Sequence, residues 1–347
     1  MVPLLLVLLG LQEAPGADPC RLGAAKVSAG DTAAALPLIE QCVEQHPGDL
    51  EWRLRLCALY QQLGRDRELY SAALEGLRRF PGEKRFYLTA GNRAARYGDI
   101  QSAVDLLTEA NRRWPDDPAL RDTLTEALLV RGLDRFDREE YPGAEADLRR
   151  VLELDPDQVE ALLNLGRIQH NLLRREEALA SFDRVLAVAP ETPLIQFHRG
   201  VVLHSLNQND LALEALNQEL QRNPDHGVSY YFRGLVLKSL HRYRDALADL
   251  EVAARRMPRY REVFFESGRC LEALERYPEA EQAYRTSFQL DPTEPKALFS
   301  LGQMLQRIGR QEDARTVLEQ ARRLYVDKVR EHRAEFQFQS TRSTPPQ

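Results

Sequence analysis

The chain has 347 residues and a formal net charge of −6. Only five of its 47 basic residues are lysines, and no basic stripe suited to nucleic-acid phosphates appears, so we expect no nucleic-acid partner. The sequence carries no phosphate-binding loop, serine-hydrolase motif or zinc-protease motif, and its four cysteines are too scattered for a zinc site. We therefore expect no catalytic residues, no metal and no cofactor.

The first residues are typical of an export signal. An apolar run at positions 3–11 is followed by a stretch of small residues that ends at Ala17. Nine apolar residues are too few to span a bilayer, which needs about 20. The sequence therefore predicts a signal peptide over residues 1–17, a periplasmic or extracellular location, and no transmembrane segment in the mature chain. The alternative is an apolar N-terminal extension on a cytoplasmic protein.

Glycine, alanine and proline recur at one spacing along the chain. In the segment 159–192 they are Gly166, Ala178 and Pro190, and equivalents lie 34 residues before and after. The proline series contains Pro47, Pro81, Pro115, Pro156, Pro190, Pro224, Pro258 and Pro292. Proline is about one residue in twenty of an average chain, so eight in phase indicate an internal repeat.

This repeat resembles the tetratricopeptide repeat (TPR). The segment 159–192 matches the pattern at positions 7, 8, 20, 24 and 32, with Leu165, Gly166, Ala178, Phe182 and Pro190. It departs from the pattern with Leu162 for the aromatic residue at position 4 and Gln169 for the tyrosine at position 11. The resemblance implies an all-α fold, a right-handed superhelical α-solenoid of about nine helix-turn-helix repeats. Within a repeat we expect Gly at position 8 to face Ala at position 20, and Pro at position 32 to end the second helix.

The repeat frame also predicts the domain boundaries. It gives the signal peptide at 1–17, TPR 1 at 18–49, TPR 2 at 50–83, TPR 3 at 84–117, TPR 4 at 118–158, TPR 5 at 159–192, TPR 6 at 193–226, TPR 7 at 227–260, TPR 8 at 261–294, TPR 9 at 295–328, and a helix extension with a disordered tail at 329–347. TPR 4 carries seven extra residues, 118–124, which should lengthen its first helix by two turns. The insertion is either a tolerated lengthening or a bend in the array.

Two cysteines fall on facing helices of the first repeat. Cys20 is at position 5 of its first helix and Cys42 at position 27 of its second, where the helices lie side by side. In an exported protein a disulfide between them would fix this hairpin. The alternative is a pair of small buried thiols.

In TPR arrays, first-helix residues at positions 2, 5, 9, 12 and 13 line the inner groove. Position 5 here is an apolar column that becomes aromatic toward the C-terminal end. The candidate groove residues at positions 5, 9 and 12 are Leu129, Leu163, Arg167, His170, Phe197, Val201, His204, Tyr231, Leu235, Lys238, Phe265, Arg269 and Phe299. The column either packs between helices or forms an exposed strip that takes a peptide or helix, with Arg167 and Arg269 holding acidic groups. The lysines of the family's Lys/Asn carboxylate clamp are missing.

The resemblance thus implies a non-enzymatic protein–protein interaction scaffold. Its partner would be another protein or a peptide of unknown identity, held in the concave groove of the TPR superhelix. The alternative is an accessory subunit of an enzyme, secretion or assembly complex that acts through its convex face or its tail.

Overall fold

A computed structural model describes residues 18–342, with side chains up to residue 330, and all regular structure in that range is helical. The predicted signal peptide at 1–17 lies outside the described residues. The helices are α1 Pro19–Ser28, α2 Thr32–Gln45, α3 Leu50–Gln62, α4 Asp66–Arg79, α5 Lys84–Arg96, α6 Ile100–Arg113, α7 Pro118–Asp137, α8 Tyr141–Leu154, α9 Val159–Asn171, α10 Arg175–Val188, α11 Ile195–Ser205, α12 Asn209–Arg222, α13 Gly227–Ser239, α14 Tyr243–Arg256, α15 Arg261–Ala273, α16 Tyr277–Leu290, α17 Lys296–Arg307 and α18 Gln311–Arg342.

This all-α fold is the predicted α-solenoid of paired helices. The helices form two compact units, one up to Ala161 and the other from Leu162, so the division does not fall at the insertion 118–124 in α7. No helix of the described range is both long and apolar enough to cross a membrane.

Aspartates begin several helices of the first unit. The Asp49 carboxylate accepts from the backbone N–H of Glu51 at 2.9 Å, and the Asp117 carboxylate accepts from that of Ala119 at 3.0 Å. Pro118 then opens α7, at a position where its missing N–H would have had no partner inside the helix. Helix α7 has 20 residues whereas α5 has 13, which makes α7 longer by about two turns.

Glycine at position 8 lets the two helices of a repeat approach closely. A Cβ atom on Gly166 would lie 2.5 Å from Cε1 of Phe182, and one on Gly200 would lie 2.8 Å from Cγ of Leu216. Both covering side chains are at position 24. The expected partner at position 20, Ala212 in that repeat, lies farther away, with its carbonyl oxygen at 3.4 Å. The packing prediction therefore needs correction, because the bulky residue one turn beyond the alanine fills the space above the glycine.

The first hairpin is crosslinked. A disulfide joins Cys20 in α1 to Cys42 in α2, with their Cα atoms 5.0 Å apart. Only Cys20 and Gly23 of α1 are buried, so this helix has little apolar contact of its own. Cys57 and Cys270 are free and buried, and burial raises the pKa of each thiol to about 11. These two thiols are therefore protonated at neutral pH and poorly reactive.

One apolar cluster runs through the second unit from α13 to α18. Its largest fully buried side chain is Tyr284 of α16, and the cluster ends at Ala321 of α18. Helix α18 is 32 residues long and continues to Arg342. Helix α18 therefore covers residues 329–342 of the predicted extension and tail, since the chain has no glycine or proline between 310 and 342 to stop the helix.

Candidate functional site

The aromatic column at position 5 does not form an exposed strip. Tyr231 is 8% exposed and Phe265 is 7% exposed, while Phe197 and Phe299 are half-buried. The ring of Tyr231 is covered by that of Tyr260, with centroids 5.3 Å apart. The exposed-strip interpretation is therefore wrong for the two central rings, which pack between helices as the alternative interpretation held.

The remaining apolar groove candidates are also partly covered. Leu163, Val201 and Leu235 are half-buried in the second unit, so none of them offers a full side-chain surface. Leu129 of α7 is half-buried in the first unit, where it lines a separate open pocket of about 470 Å³ with Leu154 and neighbouring polar residues.

Two polar candidates of the second unit, Arg167 and His204, contact asparagines that are close to them in the sequence. Arg167 donates from Nη1 to Oδ1 of Asn164 at 2.8 Å, and Nδ1 of His204 lies 2.8 Å from Oδ1 of Asn209. His170 is half-buried, and burial lowers its pKa. Within residues 18–330, whose side chains the structure describes, histidine, cysteine and carboxylate side chains form no group of three that could hold a metal ion.

Two other polar candidates, Lys238 and Arg269, lie in one pocket. They line a pocket of about 670 Å³ in the second unit, between α13, α15 and α17. Two further cations line it, Lys296 and Arg307, which are the first and last residues of α17. We call this cavity the basic pocket. Its four cations are Lys238, Arg269, Lys296 and Arg307.

Two glutamates hold the cations of the basic pocket. Glu266 pairs with Lys238 and lies 3.7 Å from Nη1 of Arg269. Oε1 of Glu272 lies 2.9 Å from Nη1 of Arg307. These contacts leave most of each arginine in solvent, because 52% of the Arg269 side chain and 64% of the Arg307 side chain are exposed. Both guanidinium groups therefore keep donors that a bound molecule can reach.

The wall of the basic pocket is aromatic, and contacts on its core side hold it in place. Nζ of Lys296 lies 4.6 Å from the ring centroid of Phe265, at cation–π distance. The hydroxyl of Tyr284, which is 0% exposed, donates to Oε2 of Glu272 at 2.8 Å. Burial and this hydrogen bond both raise the pKa of Tyr284, so the hydroxyl remains a donor. The site thus combines a rigid wall with cations whose ends are accessible, a combination suited to anionic groups.

Two of the four cations of the basic pocket, Lys238 and Arg269, are predicted groove residues. Lys296 and Arg307 are not among the predicted residues, and Lys296 lies 58 residues after Lys238. Lys296 and Arg307 occupy positions 2 and 13 of TPR 9, which are also groove positions of the family pattern. Reading those two columns together with position 12 would have found them.

Comparison with known proteins identifies the repeats. Sequence models described as tetratricopeptide repeat match residues 26–68 and 135–199, residues 232–295, and residues 296–327. Among curated proteins, none matches the chain.

Solved structures of similar architecture include MamA and YrrB. The MamA protein is 20% identical over 50% of this chain and 94% of that chain, with a TM-score of 0.44. YrrB, described as a TPR protein with an unusual peptide-binding site, is 21% identical over 54% of this chain and 97% of that chain, also with a TM-score of 0.44. The matched repeats together cover more than half of the sequence. The chain therefore belongs to the tetratricopeptide repeat family, whose members are typically non-enzymatic protein–protein interaction scaffolds.

Proposed function

We propose that this protein is a non-enzymatic scaffold that binds a polypeptide along the first helices of TPR 7, 8 and 9. The observation that carries the proposal is the basic pocket, which is open across α13, α15 and α17. Its volume of about 670 Å³ lies within the range of ligand sites, about 300–1,000 Å³. It is large enough for several side chains of an extended segment.

The wall of the pocket favours binding without large rearrangement. Phe265 is 7% exposed and packs against the ring of Tyr284, with centroids 5.9 Å apart. A site that is already ordered loses little conformational entropy when a ligand binds, so more of the contact energy appears as affinity. The flexible parts are the ends of the exposed cations, which can adjust to the ligand.

Selection of peptides tests the proposal directly. The full chain is immobilised, a random displayed-peptide library is selected on it, and the binding site of the enriched peptides is mapped by hydrogen exchange. We expect protection of amides in α13, α15 and α17. The proposed function is wrong if the library yields no peptide above background, or if the protected amides lie in α14, α16 and α18 instead. Protection of α14, α16 and α18 would favour an accessory subunit that uses its opposite face.

We also propose that the protein acts in an oxidising compartment. Support comes from the Cys20–Cys42 disulfide, since such bonds persist outside the reducing cytosol. Cell fractionation with sequencing of the mature N-terminus tests this, and a chain recovered from the cytosol that begins at Met1 would contradict it.

A further inference from the structure

We infer that the ligand of the basic pocket is an internal acidic segment of a polypeptide that presents two carboxylates about four residues apart. This inference rests on the proposed function, because it names the chemistry of the segment held at that same site. Three features of the pocket lead to it: an excess of positive charge, the separation of its cations, and the glutamates that already hold them.

The charge around the pocket is not balanced. Four cations and Glu272 line it, and Glu266 lies beside Lys238 and Arg269. Two carboxylates therefore face four cations, whereas the whole chain carries a net charge of −6. A site that concentrates positive charge on a negative protein attracts anionic ligands and repels cationic ones. Two ligand carboxylates would complete the balance.

The separation of the cations determines the spacing of those carboxylates. Lys296 and Arg307 are at opposite ends of α17, eleven residues apart in the sequence. At 1.5 Å per residue their backbones are about 16 Å apart along the helix axis. Lys296 lies over Phe265 and Arg307 contacts Glu272, two residues of α15 that are about 10 Å apart along the helix axis, so one carboxylate does not reach both cations where they lie. An extended chain rises about 3.3 Å per residue, so residues at i and i+4 lie about 13 Å apart and their side chains can reach both.

The same geometry disfavours a single chain terminus or a single phosphate as the main ligand group. Either one is compact and would engage one end of α17 only. An extended segment that crosses the pocket can instead place one carboxylate near Lys296 and Phe265, and the other near Arg307.

The glutamates of the pocket predict that different substitutions change the affinity for an acidic segment in opposite directions. Glu272 already occupies one donor of Arg307, at 2.9 Å, and so competes with a ligand carboxylate. The substitution Glu272→Gln removes that charge and keeps an oxygen that can accept from Tyr284. It should therefore strengthen binding of an acidic segment, while Lys296→Gln and Arg307→Gln should weaken it. A purely structural ion pair would not move affinity in both directions.

The test uses labelled peptides of about 12 residues, acetylated and amidated at their ends, with two glutamates at i and i+4. Fluorescence anisotropy with the full chain should show saturable binding. Lys296→Gln and Arg307→Gln should each weaken it about fivefold, and Glu272→Gln should tighten it about threefold, in line with exposed ion pairs of up to about 1 kcal/mol. Arg315→Gln, on α18 and 77% exposed, is the charge-matched control and should leave affinity unchanged.

Three comparison peptides complete the test. The first has both glutamates replaced by glutamine, the second has them at i and i+1, and the third has one phosphoserine or a free C-terminal carboxylate as its only anion. We expect each to bind more weakly than the i, i+4 peptide.

Equal binding of the glutamine peptide, or variants that change nothing, would overturn the inference of an acidic ligand. Equal binding of the second or third peptide would overturn the spacing. The proposed function would survive any of these results if peptides from the random library still protect α13, α15 and α17, so the two failures can be told apart.

Discussion

The substitution Gly268→Ala should destabilise the second unit, although alanine is the better helix former. Gly268 is at position 8 of TPR 8, in α15. A Cβ atom there would lie 2.7 Å from Cδ1 and Cε1 of Tyr284, closer than real Cβ contacts come. The Tyr284 ring cannot easily turn away, because it is fully buried and its hydroxyl donates to Glu272 at 2.8 Å.

The magnitude follows from opposing contributions. Replacing glycine by alanine inside a helix favours folding by about 1 kcal/mol. Forcing an additional methyl group into a packed core costs about 1–3 kcal/mol. If the Tyr284 ring shifts to relieve the overlap, its hydrogen bond to the Glu272 carboxylate weakens, which costs about 1 kcal/mol more. We expect a net loss of about 2 kcal/mol in the free energy of unfolding.

Gly132→Ala is the matched control. A Cβ atom on Gly132 would lie 3.2 Å from Cδ2 of Leu148 and 3.3 Å from Cβ of Asp147, which is tight but far from the overlap at Gly268. Shifts of a few tenths of an ångström relieve both contacts, so the gain in helix propensity roughly cancels the strain and stability should change by less than about 0.5 kcal/mol.

Urea unfolding followed by circular dichroism shows which of the two variants loses more free energy of unfolding. Because repeat arrays need not unfold in one step, hydrogen exchange of the amides in α15 and α16 should accompany it and localise the loss. A Gly268→Ala variant as stable as the parent chain, or a Gly132→Ala variant that loses more than Gly268→Ala, would refute this account of why position 8 is glycine.

Three other changes should have measurable effects. Replacing Cys20 and Cys42 by serine should cost about 3 kcal/mol, because the disulfide closes a 22-residue separation, and faster hydrogen exchange in α1 would show it. Arg53→Leu should stabilise the first unit by about 1 kcal/mol in urea unfolding, since Arg53 is 6% exposed and its Nε has no hydrogen-bond partner among the described residues. Burial, and then Arg167, lower the pKa of His198 from its ordinary value of 6.5 to about 4, so the unfolded chain binds the extra proton between these values. The free energy of unfolding should therefore fall from pH 6.5 to pH 4, and His198→Phe should make this pH dependence shallower in thermal unfolding. An unchanged pH dependence in His198→Phe would contradict this expectation, and a double-serine variant more stable than the parent chain would contradict the first one.

The sequence determined the repeat because its signals are local and periodic. Pro156 and Pro190 mark where second helices end, and α8 and α10 do end within two residues of them. The length of α7 also follows from local signals, since Asp117 and Pro118 are a helix start that needs no tertiary information.

Burial of the side chains at position 5 could not be predicted from local sequence signals. The exposure of Tyr231 depends on Tyr260, which reaches it from the turn between α14 and α15. Whether a groove position is open is thus decided by the residue at the end of the same repeat, at a position the family pattern leaves variable. Lys296 and Arg307 were missed for a related reason. The four cations of the basic pocket come from three helices and from different positions of the frame, and packing brings Lys238 and Lys296 to one cavity.

The basic pocket also shows why stability and affinity oppose each other at Glu272. Four cations around one cavity repel each other, and this repulsion weakens the packing of α13, α15 and α17. Glu266 and Glu272 reduce it, and the hydroxyl of Tyr284 keeps Glu272 in place from the core. The same carboxylates occupy donors that a ligand would use. Replacing Glu272 should therefore lower the unfolding free energy of the second unit and raise its affinity for an acidic segment, a pair of opposite effects that only a binding pocket for anions would produce.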